Sequence, residues 1–137
     1  MKKILFSTIL SASLFFTSFS KDDDNNNVSI TKENIQGIWS FVAYQGVNDA
    51  EEVTEEQSCE SKKDYVDFLA DGSSTWNYFT SDCELGGTQN LKDWSLNGKI
   101  FTWDFDGSTM DYEILELTKT KFKIRGIDYA FVYVFER

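Results

Sequence analysis

The chain has no histidine and no proline, only two cysteines, and 13 basic residues against 23 acidic ones among its 137 residues. Without histidine, no side chain titrates between pH 5 and 8 at its ordinary pKa, and the commonest catalytic base and metal ligand is missing. A net charge of −10 repels nucleic acid and anionic lipid headgroups, so neither is expected as a partner. Two cysteines without a C-x-x-C spacing make a poor metal or redox site. Nor is there a Gly-x-Ser-x-Gly segment, which would leave an enzyme with carboxylate chemistry alone. No acid pair falls on the apolar face derived below, so no catalytic residue, metal ligand or cofactor is assigned.

What the chain does have is aromatic: four tryptophans, six tyrosines and 12 phenylalanines. Beyond residue 20 the apolar residues come in short runs, which favours many short strands over helices. The length is that of one domain able to bury a core.

Residues 1–20 read as a signal peptide. Lys2 and Lys3 supply the positive start, "ILFSTILSASLFF" the apolar stretch, and Ser18 and Ser20 the small residues before a cut at Lys21. The stretch is too short and too serine-rich for a membrane span, although a buried helix is the alternative. Cleavage would leave 11 basic against 23 acidic residues, a net −12, since the leader carries only two lysines. Residues 21–33, opening with "KDDDNNN", cannot bury apolar surface and read as a solvated acidic tether. Residues 34–137 are then the folded domain. The junction "FSKDDD" also resembles the start of bacterial surface lipoproteins, in which a lipidated cysteine precedes Ser-Lys and a run of acids. Phe19 stands where that cysteine would be. The expectation is an exported chain, periplasmic, outer-membrane-associated or extracellular, and a surface lipoprotein only if a cysteine natively replaces Phe19.

Export makes a Cys59–Cys83 disulfide the default reading. Closing a loop of roughly 25 residues is worth about 3 kcal/mol in the chain-entropy account.

Asp71-Gly72, Asn97-Gly98 and Asp106-Gly107 each separate apolar-rich runs, the strongest short hairpin signal. With Asn97-Gly98 as a loop, Leu96 pairs with Lys99 and Trp94 with Phe101. With Asp106-Gly107 as a loop, Phe105 pairs with Ser108, Trp103 with Met110 and Phe101 with Tyr112. Both place Trp94, Leu96, Phe101, Trp103, Phe105, Met110 and Tyr112 on one face, and a slip of one residue would invert it. Ile114 continues that face, yet Leu115 and Leu117 must also point inward if Lys119-Thr120 is the next turn. A β-bulge at Ile114–Leu115 is therefore predicted. The last segment, "DYAFVYVFER", is apolar on both faces, as for a strand covered on two sides.

The count is eight strands, at about 38–45, 64–70, 74–80, 91–96, 99–105, 109–117, 121–126 and 129–136. Their connections are too short for crossovers, so the predicted fold is all-β, an antiparallel up-and-down eight-stranded barrel. Such a barrel is either filled by side chains or holds one small ligand.

Gly37-Ile38-Trp39 at the start of the first strand matches the Gly-x-Trp signature of lipocalins. The helical turn "TKENIQ" before it, with Thr31 as N-cap and Gly37 after, fits the same pattern. More closely, the chain resembles the bacterial lipocalin-like domain of exported lipoproteins. The resemblance rests on Ser61-Lys62-Lys63 after Cys59, "VDFLADGSS", a second cysteine, "DWSLNGKIFTW" and "YEILELTKTKFKI". It covers about residues 34–135, although no Thr-Asp-Tyr segment is visible. It implies a barrel closed at one end by Trp39, with an arginine over the indole that would be Arg125 or Arg137, and open at the other end beneath the first loop.

That loop, residues 46–63, is either a lid or a solvated acidic connection. Asp49, Glu51, Glu52, Glu55 and Glu56 lack the spacing and turn glycine of a calcium loop, and Asp104-x-Asp106-Gly107 is accounted for as a hairpin. Candidate ligand-binding residues in the interior are Trp39, Phe41, Trp94, Phe101, Trp103, Met110, Tyr112 and Phe122, which could equally be plain core. The function expected is a non-catalytic binding module for a small apolar or amphipathic ligand in the bacterial envelope, with no transmembrane span in the mature chain. The alternative is a surface interaction domain with a filled barrel.

Overall fold

The computed structural model describes residues 26–46, 48, 50–91, 93–105 and 107–137. The leader, Phe19, the start of the tether, Asp49 and Asp106 lie outside the described residues. Thr31 accepts a hydrogen bond from the Asn34 backbone N–H at 3.4 Å and caps a single helical turn, α1 (Lys32–Ile35). Gly37, at φ 105°, then swings the chain into the first strand, a conformation that excludes most side chains.

Ten strands follow: β1 (Gly37–Gln45), β2 (Val53–Thr54), β3 (Tyr65–Phe68), β4 (Ser74–Phe79), β5 (Leu85–Leu91), β6 (Trp94–Asn97), β7 (Ile100–Phe105), β8 (Ser108–Leu117), β9 (Lys121–Gly126) and β10 (Val132–Glu136). All named pairings are antiparallel, and nine strands run in the order β5-β4-β3-β1-β10-β9-β8-β7-β6, with β2 added to the edge of β1. This is the order of an up-and-down barrel with one seam, because β5 and β6 are consecutive in the chain yet share no ladder.

The expected eight closed strands are thus corrected to ten strands in an unclosed sheet. The segment expected as one strand at 91–96 is the end of β5, a corner, and β6. Strand β5 was hidden because Gly86-Gly87 and "TQN" carry almost no apolar alternation. The exposed Tyr78 ring lies across the pair, and a Cβ on Gly87 would sit 2.6 Å from its hydroxyl. At the seam Trp94 substitutes for a ladder. Its backbone N–H donates to the Gly72 carbonyl at 2.6 Å, and its indole N–H to those of Leu69 and Ser73 at 3.2 and 3.1 Å.

The β7–β8 register is as predicted, with Phe105 opposite Ser108, Trp103 opposite Met110 and Phe101 opposite Tyr112. The β6–β7 register differs by two residues. Trp94 faces Trp103 and Leu96 faces Phe101, so the loop is Gly98-Lys99 rather than Asn97-Gly98. Gly98 has φ 60° while Lys99 does not take a positive φ, which fits glycine at the first central position of a type II′ turn. A shift of two leaves the inward face unchanged, so the apolar assignment survives the error.

The ladder between β8 and β9 jumps from Ile114 to Glu116, placing the bulge where it was predicted. The inward residues are Ile114 and Leu117, however; Leu115 is the extra residue and is 41% exposed, contrary to the expectation that it points in. Strand β10 starts later than predicted because residues 127–130 turn back on Gly126, with Ala130 at φ 48°.

The described residues between 50 and 63 run along the outside of β1. Glu55 N–H donates to the Val42 carbonyl at 2.9 Å, and Gln57 links the Phe41 carbonyl to the Asp64 N–H. Phe41 and Ala43 flank a bulge in β1, so this connection satisfies carbonyls the ladder leaves behind. Glu52 pairs with Lys123, reaching across β10 where Val134 is buried, and the ion pair holds the Glu52 carboxyl below its usual pKa. Cys59 and Cys83 are joined in a disulfide, tying this connection to the β4–β5 turn.

Candidate functional site

The interior divides into a packed half and a hollow half. In the packed half Trp39 is fully buried and its indole N–H donates to the Ile35 carbonyl at 2.6 Å, which locks α1 across the barrel's end. Arg137, not Arg125, covers the indole: its guanidinium carbon lies 4.0 Å from the ring centre. Its donors reach the carbonyls of Asn34, Gln36 and Lys119 at 2.8–3.2 Å, so the last residue of the chain clamps the helical turn and the β8–β9 turn together. Above Trp39, Phe68, Phe101 and Phe122 meet edge to face at 5.3–6.3 Å. Such aromatic packing adds to the roughly 25 cal/mol per Å² of apolar burial.

Farther along the strands the side chains leave space between them, and a cavity of about 470 Å³ opens. This lies within the range of small-molecule sites. Phe41 of β1, Trp76 of β4, Trp103 and Phe105 of β7, and Met110 and Tyr112 of β8 form one part of its wall. Tyr129 from the β9–β10 turn and Tyr133 and Phe135 of β10 complete it. Trp76 and Phe105 meet edge to face at 6.3 Å although their strands, β4 and β7, stand next to the opposite ends of the sheet order, β5 and β6. The cavity is therefore walled by side chains where the backbone ladder is missing. None of the described residues between 46 and 63 lines it.

The sequence candidates separate accordingly. Phe41, Trp103, Met110 and Tyr112 lie on the cavity wall, whereas Trp39, Trp94, Phe101 and Phe122 lie in the packed core and do not reach it. Five wall residues were not among the candidates. Phe105, Tyr133 and Phe135 were visible as continuations of the inward alternation. Trp76 needed the β3–β4 register, and Tyr129, of the same parity as Tyr133 and Phe135 in the predicted strand, reaches the wall from the turn before β10.

The wall's polar groups are few. The Tyr112 and Tyr129 hydroxyls both donate to the Met110 thioether sulfur, at 3.7 and 3.2 Å, and Trp103 gives its indole N–H to the Ser74 hydroxyl at 3.0 Å. Burial, reinforced by the Tyr129 hydroxyl, pushes the Tyr112 phenol far above its ordinary pKa, and burial raises Tyr133 as well. Both are neutral phenols at any physiological pH. Among the described residues no cluster of side chains is arranged to hold a metal ion, and no helix is long and apolar enough to cross a membrane.

An antiparallel meander of this order, filled at a tryptophan end and hollow at the other, is the architecture of a lipocalin-like binding fold. The sequence profile of the lipocalin-like domain matches residues 35–124, and the chain belongs to that family. A lipocalin-like protein from Bacteroides uniformis shares the fold with a TM-score of 0.59 at 12% identity, over 76% of this chain and 98% of the other. An uncharacterized protein from Bacteroides eggerthii aligns with a TM-score of 0.55 at 14% identity, over 74% of this chain and 98% of its own. None of the curated proteins matches the sequence.

Proposed function

We propose that the protein is an exported, non-catalytic carrier or receptor for a small apolar or amphipathic molecule in the bacterial envelope. The observation that supports this is the 470 Å³ cavity, in which eight of the nine lining side chains are aromatic and the ninth is Met110. Burying an apolar guest there removes water from the ring surface still open to the cavity, at roughly 25 cal/mol per Å². A filled barrel, the alternative expectation, accounts for the Trp39 half but not for the hollow one. The family and the disulfide agree with a life outside the cytoplasm.

The test is titration with the neutral dye N-phenyl-1-naphthylamine. The proposal expects one saturable site and quenching of tryptophan fluorescence, with part of the quenching lost in Trp76→Phe while binding persists. A dye signal that does not saturate, with unchanged tryptophan emission, would contradict it.

A further inference from the structure

Resting on that reading, we infer that the cavity selects positively charged guests: an amine, protonated at neutral pH, carried on an apolar or aromatic body. Three observations lead to this class and away from fatty acids and other anionic lipophiles.

The first is the direction of the hydrogen bonds. The Tyr112 and Tyr129 hydroxyls lie within hydrogen-bond reach of the Met110 sulfur and of each other, so with their protons turned to these partners they offer oxygen lone pairs to a guest. A carboxylate needs donors, whereas an ammonium group brings donors of its own. Trp103 has committed its indole N–H to Ser74, so the Trp76 indole and the Tyr133 hydroxyl are the remaining neutral donors of the wall, few for a carboxylate that accepts at both oxygens.

The second is the lack of a counter-charge. Among the described residues no lysine or arginine lines the cavity. On β9, Lys121, Lys123 and Arg125 alternate with the inward Phe122 and Ile124 and pair with Glu116, Glu52 and Glu113 on the outer surface. Arg137 is at the closed end, engaged by Trp39 and three carbonyls. An anion in the cavity would lose its hydration with no lining cation among the described residues to replace it.

The third is the wall itself. Ring faces carry negative electrostatic potential and attract cations, and a desolvated aromatic enclosure is where that attraction is strongest. The net charge of −10 adds a long-range field of the same sign.

The experiment compares three guests with one tail: decylamine, 1-decanol and decanoate, titrated at pH 7 and low salt by calorimetry or tryptophan quenching. Decylammonium is expected to bind at least about tenfold more tightly than decanoate, with decanol between them. In the double variant Tyr112→Phe, Tyr129→Phe the amine's advantage over decanol should shrink while decanol affinity is kept. Decanoate binding as tightly as the amine, or more tightly, would overturn the charge selectivity while leaving a binding cavity in place. If none of the three binds, the proposed function itself falls.

Discussion

The guanidinium carbon of Arg137 stands 4.0 Å above the Trp39 ring, joining the chain's last residue to the first strand and, through three carbonyls, to α1 and the β8–β9 turn. The closed end thus depends on both side chains. Trp39→Ala should cost about 3–5 kcal/mol in urea denaturation, as a large-to-small change at a fully buried site. Arg137→Ala should cost about 1–2 kcal/mol through the lost cation–π contact and hydrogen bonds. A loss below about 1 kcal/mol for Trp39→Ala would contradict its place in the core.

Alkaline pH should act through Tyr112. Its folded-state pKa is raised above the ordinary tyrosine value of about 10, by burial first. A raised value means stability that is fully present below pH 10 and lost progressively as pH rises beyond it. Tyr112→Phe should remove much of that dependence. Chemical denaturation followed between pH 8 and 11.5 checks this; parallel curves for the two proteins would refute it.

The Glu52–Lys123 pair fastens the 46–63 connection over β10. Because the Glu52 pKa is depressed, its contribution is present above the ordinary glutamate pKa and is lost as pH falls through the folded value. Glu52→Gln should therefore speed hydrogen exchange at the Glu55 amide, which bonds the Val42 carbonyl, while leaving the β7–β8 amides protected. Unchanged exchange at Glu55 would mean that the connection is held by its other contacts.

Reducing Cys59–Cys83 should lower the melting temperature, with a loss of about 3 kcal/mol, yet leave the barrel folded at room temperature. The disulfide joins a connection to a hairpin turn, and its cysteines are not members of the core cluster around Trp39. Thermal melts with and without reductant decide it, and a chain unfolded at room temperature on reduction would show that the core alone is insufficient.

Much of this architecture is legible in the chain, for identifiable reasons. The β7–β8 hairpin is read correctly because its turn has two central residues and its faces are strongly unequal, so Trp103 and Met110 can only meet one way. The Ile114–Glu116 bulge shows itself as a break in alternation. The capped turn at Thr31 is a local signal, and the structure keeps it. What escapes is non-local. Strand β5 holds its place by its ladder with β4, and its glycine pair gives no sign in the sequence of that pairing or of the Tyr78 ring that lies on it. The seam closed by Trp94 depends on where the β3–β4 turn ends in space.

The candidate site divides in the same manner. Alternation separates inside from outside, so Phe41, Trp103, Met110 and Tyr112 fall on the wall as part of the inward set. Depth along the barrel axis is set by strand stagger, which alternation does not carry. That is why Phe101 and Phe122, equally inward, are sealed in the core instead.

Native mass spectrometry of the protein, purified without detergent from an exporting host, tests the central claim most directly. The account predicts a discrete added mass that disappears on solvent extraction and returns when a lipophilic amine is supplied. A bare protein mass before extraction, with no shift on adding amines, alcohols or fatty acids, would contradict it.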